Sequence, residues 1–355
     1  MATPAKHQVS LLIAGREHGD WTHYVIDSDL ALAADAWQLT LGLPGGAAPP
    51  EVAPGAPVQV RVDGETVLQG RVDEARHSVE PGRHQLALSG RDLAGILLDA
   101  SAPLLSAKAM TLADVLDTVV RPLGVARIRV DPRAGGQIDK ISVDPGASAW
   151  DVLTRAAAAN GLTAWFDPDG TLTVGGPDYS QPVAAQLTLR RDGRGNNVLS
   201  LSETRSHAPR YSELTLLGQA HGQALTPGRH QLSHRAADPG LDYHKPRIVV
   251  EPDAASLAEL SARADKLLAD ARLAGYTLHA SVAGHHHSGG RLWTPGQRIA
   301  VRSEPHGVDG VFFLMARAFE GGRGVGAVTR LTLKEDRCWI PAAAAAPSER
   351  NPHVA

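Results

Sequence analysis

Cysteine is almost missing from this chain: Cys338 stands alone among 355 residues. That excludes an intrachain disulfide framework and every metal site built on clustered cysteines, and it leaves Cys338, beside Trp339, to be read as a small buried residue at a strand end. Aromatic residues are scarce at 4%, and charge of either sign is not in excess, with 35 Lys and Arg against 38 Asp and Glu. A groove that tracks a phosphate backbone needs surplus cations, and a base-stacking platform needs aromatic rings, so sequence-specific nucleic-acid binding is not expected. No run approaches the roughly 20 apolar residues of a membrane span. Residues 1–8 lack the apolar core of a signal peptide, which predicts a protein made and assembled in the cytoplasm.

What the chain has in quantity is turn residues, 36 glycines and 24 prolines, on an otherwise average background of 43% hydrophobic and 21% charged residues. Frequent turns and short strands favour β-rich structure, and the length suggests two to four compact units. One pattern occurs twice. Pro54-Gly55-Ala56-Pro57-Val58-Gln59-Val60-Arg61 is repeated position for position by Pro295-Gly296-Gln297-Arg298-Ile299-Ala300-Val301-Arg302. In each, a Pro-Gly turn feeds a run alternating β-branched with polar or small residues, the signature of a half-buried strand. Asp63-Gly64 and then Asp309-Gly310 follow, each before a second strand-like run, and Leu86-Ala87-Leu88 is matched to Leu331-Thr332-Leu333 as the third. These runs, 54–92 and 295–336, predict two related antiparallel units that superpose as equivalent barrel strands in separate sheets.

Around them, short strands are expected at 9–14, 22–26 and 36–42, with a loop from Leu43 to Pro50. The texture turns helical after Leu93. Thr111 with Asp114, and Ser148 with Asp151, are N-cap and N3 pairs 37 positions apart, and Gly124 and Gly161 end the two helices at the same spacing. Strands follow at 126–130 and 163–166, the latter in a hairpin with 171–174. Neither small unit could fold alone, so the two should pack together. Further strands are expected at 197–204, 211–218 and 276–282, a long loop at 219–245, and a helix at 251–274. The end is low-complexity Ala/Pro sequence. The expected fold class is α+β, β-rich and multidomain: two antiparallel β-barrel-like tube domains with an inserted pair of small α+β modules. The division is 1–94, 95–182, 183–338 with the helix, and a tail at 339–355.

Chemistry is harder to find. His285-His286-His287 invites a metal, but adjacent side chains of an extended segment point to opposite faces and no Cys or carboxylate lies at ligand spacing, so it reads as an exposed hairpin tip. Ser288 lacks the glycine that a nucleophile elbow needs two residues before it. Gly321-Gly322-Arg323-Gly324-Val325-Gly326 joins two strands rather than opening a helix, so it is a hairpin turn and no phosphate loop. Asp167 and Asp169 lack the glycine and terminal Glu of a calcium loop. No nucleophile, base and orienting group occur together. The expectation is no catalytic residue, no cofactor and no metal.

The duplicated β unit, the inserted helix-plus-strand pair, the helix before Gly275, and above all Leu292-Trp293-Thr294-Pro295-Gly296 and Arg91-Asp92-Leu93 resemble the baseplate hub proteins of contractile phage tails, of the phage Mu P-like kind, with late control D and VgrG proteins as more distant kin. The likeness runs to about Arg337. It implies a structural, non-enzymatic virion component: a homotrimeric ring adapting the sixfold tail tube to the threefold central spike. The partners implied are other copies of the chain, the spike, the tube or a tube initiator, the tape-measure protein and the baseplate wedges. Two copies of one unit per chain, in three chains, give six similar units around an axis. Candidate interface residues are Val58, Val60, Arg61, Trp293, Pro295, Gly296, Ile299, Val301 and Arg302. The rival readings are a tail-associated cell-wall hydrolase, opposed by the missing catalytic acids, and a carbohydrate- or nucleic-acid-binding barrel, opposed by the sparse aromatics and the absence of a basic excess.

Overall fold

The computed structural model describes residues 7–13, 15–43, 52–104, 106–132, 137–142, 145–219, 231–251 and 257–340. The first β unit comprises β1 (Val9–Ile13), β2 (Arg16–His18), β3 (His23–Asp29), β4 (Ala36–Gly42), β5 (Pro57–Val62), β6 (Glu65–Glu80) and β7 (Arg83–Asp92). Strict alternation in β5 turns Val58, Val60 and Val62 inward. Asp63 and Gly64, both at positive φ (49° and 86°), make the two-residue turn into β6. Its strands run β2-β1-β5-β6-β7-β4-β3.

The insert holds α1 (Ala94–Asp99), β8 (Ser106–Thr111), α2 (Leu112–Val115), β9 (Ile128–Val130), β10 (Gln137–Ser142), α3 (Ala149–Ala159), β11 (Thr163–Phe166) and β12 (Leu172–Gly175). Both expected capping boxes are present: Asp114 N–H donates to Thr111 Oγ1 at 3.2 Å and Asp151 N–H to Ser148 Oγ at 3.0 Å. Beyond α2 the chain continues through a π turn and a 3-10 turn to Gly124 at φ 90°. The two modules do pack together. Val115, Leu116 and Val119 of one share a core with Leu153, Ala157 and Phe166 of the other, and β9 pairs in parallel with β12.

The last part contains β13 (Val183–Leu189), β14 (Ser200–Arg205), β15 (Glu213–Gln219), β16 (Gln231–Ala237), β17 (Pro246–Glu251), α4 (Leu257–Gly275), β18 (Tyr276–Ala283), β19 (Arg298–Ser303), β20 (Val308–Gly322) and β21 (Val325–Glu335). The long loop expected at 219–245 is corrected. Residues 231–237 are a strand antiparallel to β15, and β16-β15-β17 is a separate sheet lying under α4 with its own core of Leu214, Leu216, Leu260 and Ala264. The strand was missed because β16 is polar along most of its length; only one face of this sheet is covered by the helix. Residues 44–50 of the expected loop, residues 252–256 of the expected helix and the tail from 341 fall outside the described residues; Leu43 is buried, and Glu251 ends β17 instead of opening the helix.

The repeat is real at the level of hydrogen bonds. Gly55 N–H donates to Val72 O at 2.7 Å and Val72 N–H to Ala56 O at 3.0 Å; in the other copy Gly296 N–H donates to Leu314 O at 2.8 Å and Leu314 N–H to Gln297 O at 2.9 Å. The long strands are bulged at matching places, between Val72 and Glu74 and between Leu314 and Ala316. The order β1-β5-β6-β7-β4-β3 is mirrored by β13-β19-β20-β21-β18-β14, although β13 runs parallel to β19 where β1 is antiparallel to β5.

Three details of the expected repeat are corrected. The units are not separate sheets: β3 pairs with β20, making one 13-stranded sheet over one apolar core that includes Ile26, Trp37, Ile299 and Phe312. Asp309-Gly310 does not precede the second strand as Asp63-Gly64 does but lies inside β20, after a turn at residues 304–307. Pairing also makes Leu88 the counterpart of Leu331, since Leu88 faces Ala75 of the long strand as Leu331 faces Arg317.

Candidate assembly surface

The nine candidate interface residues divide by burial. Val58, Val60, Ile299 and Val301 are at most 4% exposed and sit in the shared core with Trp293. Their side chains face inward because alternation assigns the apolar positions of β5 and β19 to the core, where they pack within the chain. Arg61, Pro295 and Gly296 are partly exposed and Arg302 is exposed. Arg61 reaches Gln59 Oε1 at 2.8 Å, and Arg302 lies 3.8 Å from Asp309, an exposed pair worth little in stability.

The Leu292-Trp293-Thr294-Pro295-Gly296 motif is a corner held by its own polar groups. Thr294 N–H donates to Gln297 Oε1 at 3.1 Å, and Gln297 Nε2 returns to Leu292 O at 3.1 Å. Trp293 N–H donates to His285 O, and its ring meets the edge of His287. This corner walls a cleft of about 490 Å³ that Trp165 and Asp167 of the insert line from the other side, with Phe313 and Trp339.

Arg91-Asp92-Leu93 joins the first unit to the insert. Arg91 holds Asp73 at 2.7 Å on the bulge of β6 and Asp99 at 2.6 Å at the end of α1, and the two carboxylates raise its already high pKa. Asp92 Oδ1 accepts the Ala94 N–H; burial, then the nearby Asp35, push its carboxyl well above the usual range. Pairing makes Lys334 the counterpart of Arg91 and Glu335 that of Asp92, because Arg91 faces Arg71 as Lys334 faces Phe313. Lys334 donates to Leu273 O at 2.8 Å at the C-terminal end of α4, and Glu335, 3% exposed, takes both Arg272 nitrogens at 2.8 and 2.9 Å. Each β unit thus carries a helical module on the same two backbone positions. Sequence reasoning missed this correspondence, although the Arg-Asp and Lys-Glu pairs at matching strand ends were its signal.

The histidine run is no exposed tip. His285 is fully buried and His287 6% exposed; His285 Nε2 shares a hydrogen bond with Tyr24 OH at 2.8 Å and Nδ1 another with Thr329 Oγ1 at 3.0 Å. Burial, then the neighbouring His7, push the His285 pKa down to about 3. The reading failed because residues distant in sequence cover the turn. Also unforeseen is an exposed apolar strip, Ile248 and Val250 on the edge strand β17, whose signal was an apolar run uninterrupted on either face. Among the described residues no helix is long and apolar enough to cross a membrane.

The class defined by this architecture is a duplicated antiparallel β sheet carrying a helical module at matching strand ends of each unit. Family models match the chain in succession: the N-terminal domain of Mu phage baseplate assembly protein GpP-like over residues 8–92, the second domain of baseplate hub protein gp44-like over 94–176, the third domain of tail protein NMB1110-like over 210–268, and the tail protein C-terminal domain over 270–338. A crystal structure of a tail protein from Neisseria meningitidis MC58 is 39% identical, with 95% of this chain and 98% of that one covered at a TM-score of 0.83. The chain belongs to this family of Mu-like phage tail and baseplate hub proteins, and its place is the virion tail. The same fold recurs in a 43 kDa tail protein of prophage MuSo2 from Shewanella oneidensis, 21% identical over 94% of this chain and 99% of that one at a TM-score of 0.83. The baseplate hub protein gp44 of Escherichia phage Mu is 21% identical over 320 residues, 87% of this chain and 82% of that protein.

Proposed function

We propose that three copies of this chain form a ring in which first and second β units alternate around a channel, presenting six similar surfaces to a tail tube and a threefold axis to a central spike. The observation that carries this reading is the shared hydrogen-bond register: Gly55 on Val72 and Gly296 on Leu314, each beside a bulge in the same place. A chain with one unit could match a hexameric tube only as six copies, whereas two units in three chains do so while keeping threefold symmetry. Each first unit then meets a neighbour's second unit in a heterologous contact that closes, burying on the order of 1,000 Å² or more. Arg61, Pro295, Gly296 and Arg302 are the candidate contacts that reach the surface, and the apolar strip of β17 offers a second contact area. The tape-measure protein and baseplate wedges complete the proposed partners. The chain works in four parts, with residues 1–94 and 183–338 as hub units, 95–182 as an insert and 339–355 as a tail whose first residue, Trp339, packs on the second hub unit, and it has no hydrolytic activity of its own.

The decisive measurement is native mass and imaging of the chain with its cognate spike. Three copies per spike about a threefold axis are expected; two or four copies, or no threefold axis, would overturn the ring. Clearing of purified peptidoglycan by the chain, abolished by substitution of one acidic residue, would overturn the non-enzymatic reading.

A further inference from the structure

Three potential metal ligands from distant parts of the chain converge where the two β units touch. His7 precedes β1, Asp63 forms the β5–β6 turn, and His286 follows β18. One ligand atom from each lies within 4.8 Å of the other two, and His286 Nδ1 stands 3.7 Å from Asp63 Oδ2. Around an ion with bonds of about 2.1 Å, neighbouring ligand atoms sit ~3.4 Å apart, so side-chain rotations of about 1 Å would close the set. We propose that His7, Asp63 and His286 bind a divalent transition metal of the Zn²⁺ class, which staples the segment before β1 and the first β unit to the second.

Each side chain is held with one ligand atom to spare. Asp63 N–H donates to Gln8 O and Gln8 N–H to Asp63 Oδ1, both at 2.9 Å, which leaves Oδ2 toward His286. His7 Nδ1 accepts the His285 N–H at 3.4 Å, which leaves Nε2 as the ring's other ligand atom. That ring lies over Gly284, where a Cβ would come within 2.6 Å of Nε2 and where φ is +76°, so space and backbone both call for glycine there. His286 Nδ1 is buried and has no hydrogen-bond partner, an arrangement folded proteins rarely leave unexplained. Neighbouring side chains in an extended segment alternate, so with His285 anchored inward on Tyr24 and Thr329, His286 is turned toward Asp63.

Two imidazoles and one carboxylate suit Zn²⁺, Co²⁺, Ni²⁺ or Cu²⁺, with water as a fourth ligand; they supply too few oxygens for Ca²⁺ or Mg²⁺. A metal that binds only where all three segments meet stabilises the folded chain by mass action.

The test uses the untagged full chain, stripped with a chelator and titrated with Co²⁺. One equivalent should bind with the visible spectrum of a low-coordinate N/O site, be displaced by Zn²⁺ and raise the melting temperature. Asp63→Asn and His286→Ala should each weaken binding at least tenfold, on the scale that site perturbations reach. His7→Ala should do the same, and since it removes no core packing it keeps the test valid if another variant misfolds by circular dichroism. No binding at Co²⁺ concentrations on the order of 100 µM, or undiminished binding in Asp63→Asn and His7→Ala, would overturn the site by assigning any uptake to histidines elsewhere. A melting temperature that ignores added metal yet falls in Asp63→Asn would overturn it in favour of a direct His286–Asp63 contact.

Discussion

Arg317 sits on β20 where that strand pairs with β3, and its replacement by alanine should loosen the joint between the two β units. The side chain is 4% exposed; one terminal nitrogen donates to Ile26 O at 2.7 Å, and the guanidinium lies 4.1 Å above the centre of the Phe319 ring. Burial pulls its pKa down to about 10, partly offset by Asp35 and Asp27, so it remains a cation at neutral pH. A hydrogen bond from a charged donor contributes roughly 1.5–3 kcal/mol and a desolvated cation–π contact about 2 kcal/mol. The two are not additive within one side chain, and removing one partner from a buried charged group typically costs about 3–5 kcal/mol. With a urea slope of about 3 kcal/mol/M for a chain of this size, Arg317→Ala should lower the midpoint by ~1–1.7 M. Hydrogen exchange should localise the loss to β3 and β20. Arg317→Met, which keeps the stem and drops the costly charge, should lose less than half as much. An Arg317→Ala midpoint within about 0.3 M of the parent, at unchanged slope, would refute the idea that this cation ties the seam.

Gly90→Ala should destabilise by about 3 kcal/mol or more, seen as a large fall in melting temperature, because the new Cβ would lie 2.0 Å from Arg71 O and 2.7 Å from the Trp37 ring; an unchanged melting temperature would refute that close approach. Asp92 is an acid with a raised folded-state pKa, so its stabilising contribution is full at low pH and is lost as pH rises through and beyond the ordinary carboxylate range of about 4. Asp92→Asn, whose carbonyl can still accept the Ala94 N–H, should gain on the parent in melting temperature between pH 5 and pH 8, and a constant difference across that span would count against the sign argued here. Ser148→Ala removes one capping box and should cost about 1 kcal/mol, read from Trp150 fluorescence during urea unfolding; no change would mean that the cap is redundant with the packing of α3.

The parts of the fold legible in the sequence are those that local chemistry dictates. The Pro-Gly turns need φ of 84° and 94° at Gly55 and Gly296, and the capping boxes need an acid three residues after Thr111 and Ser148; both leave fixed residue types at fixed spacing. Strand register is different, because a pattern of period two is unchanged by a shift of two. Leu86/Leu88 therefore matched Leu331/Leu333 as well as the true alignment does, and only pairing with Ala75 and Arg317 separates the choices. The candidate surface was half legible for the same reason: alternation picked out Val58, Val60, Ile299 and Val301 as special without saying that their face is the inside. The meeting of His7, Asp63 and His286, and of β3 with β20, depends on closing loops of many residues, which leaves no local trace.

The duplication has consequences beyond symmetry. Because β3 and β20 share a ladder and both units share a core, the proposed ring would be built from pairs of units joined within each chain by backbone hydrogen bonds and buried side chains. The equivalent backbone positions have meanwhile diverged in chemistry. At the bulge, the first unit carries Asp73, which holds Arg91, while the second carries Met315, packed with Phe313 and Trp339. One strand later Arg91 grips α1 through Asp99, while Lys334 closes the end of α4 through the Leu273 carbonyl. A cation at that position in both copies is what a common ancestral unit would leave if each copy had kept its helical anchor and changed only the module anchored. In the proposed ring, similar surfaces would then repeat around an axis while the attached modules differ, which is what matching sixfold symmetry on one side and threefold on the other would require.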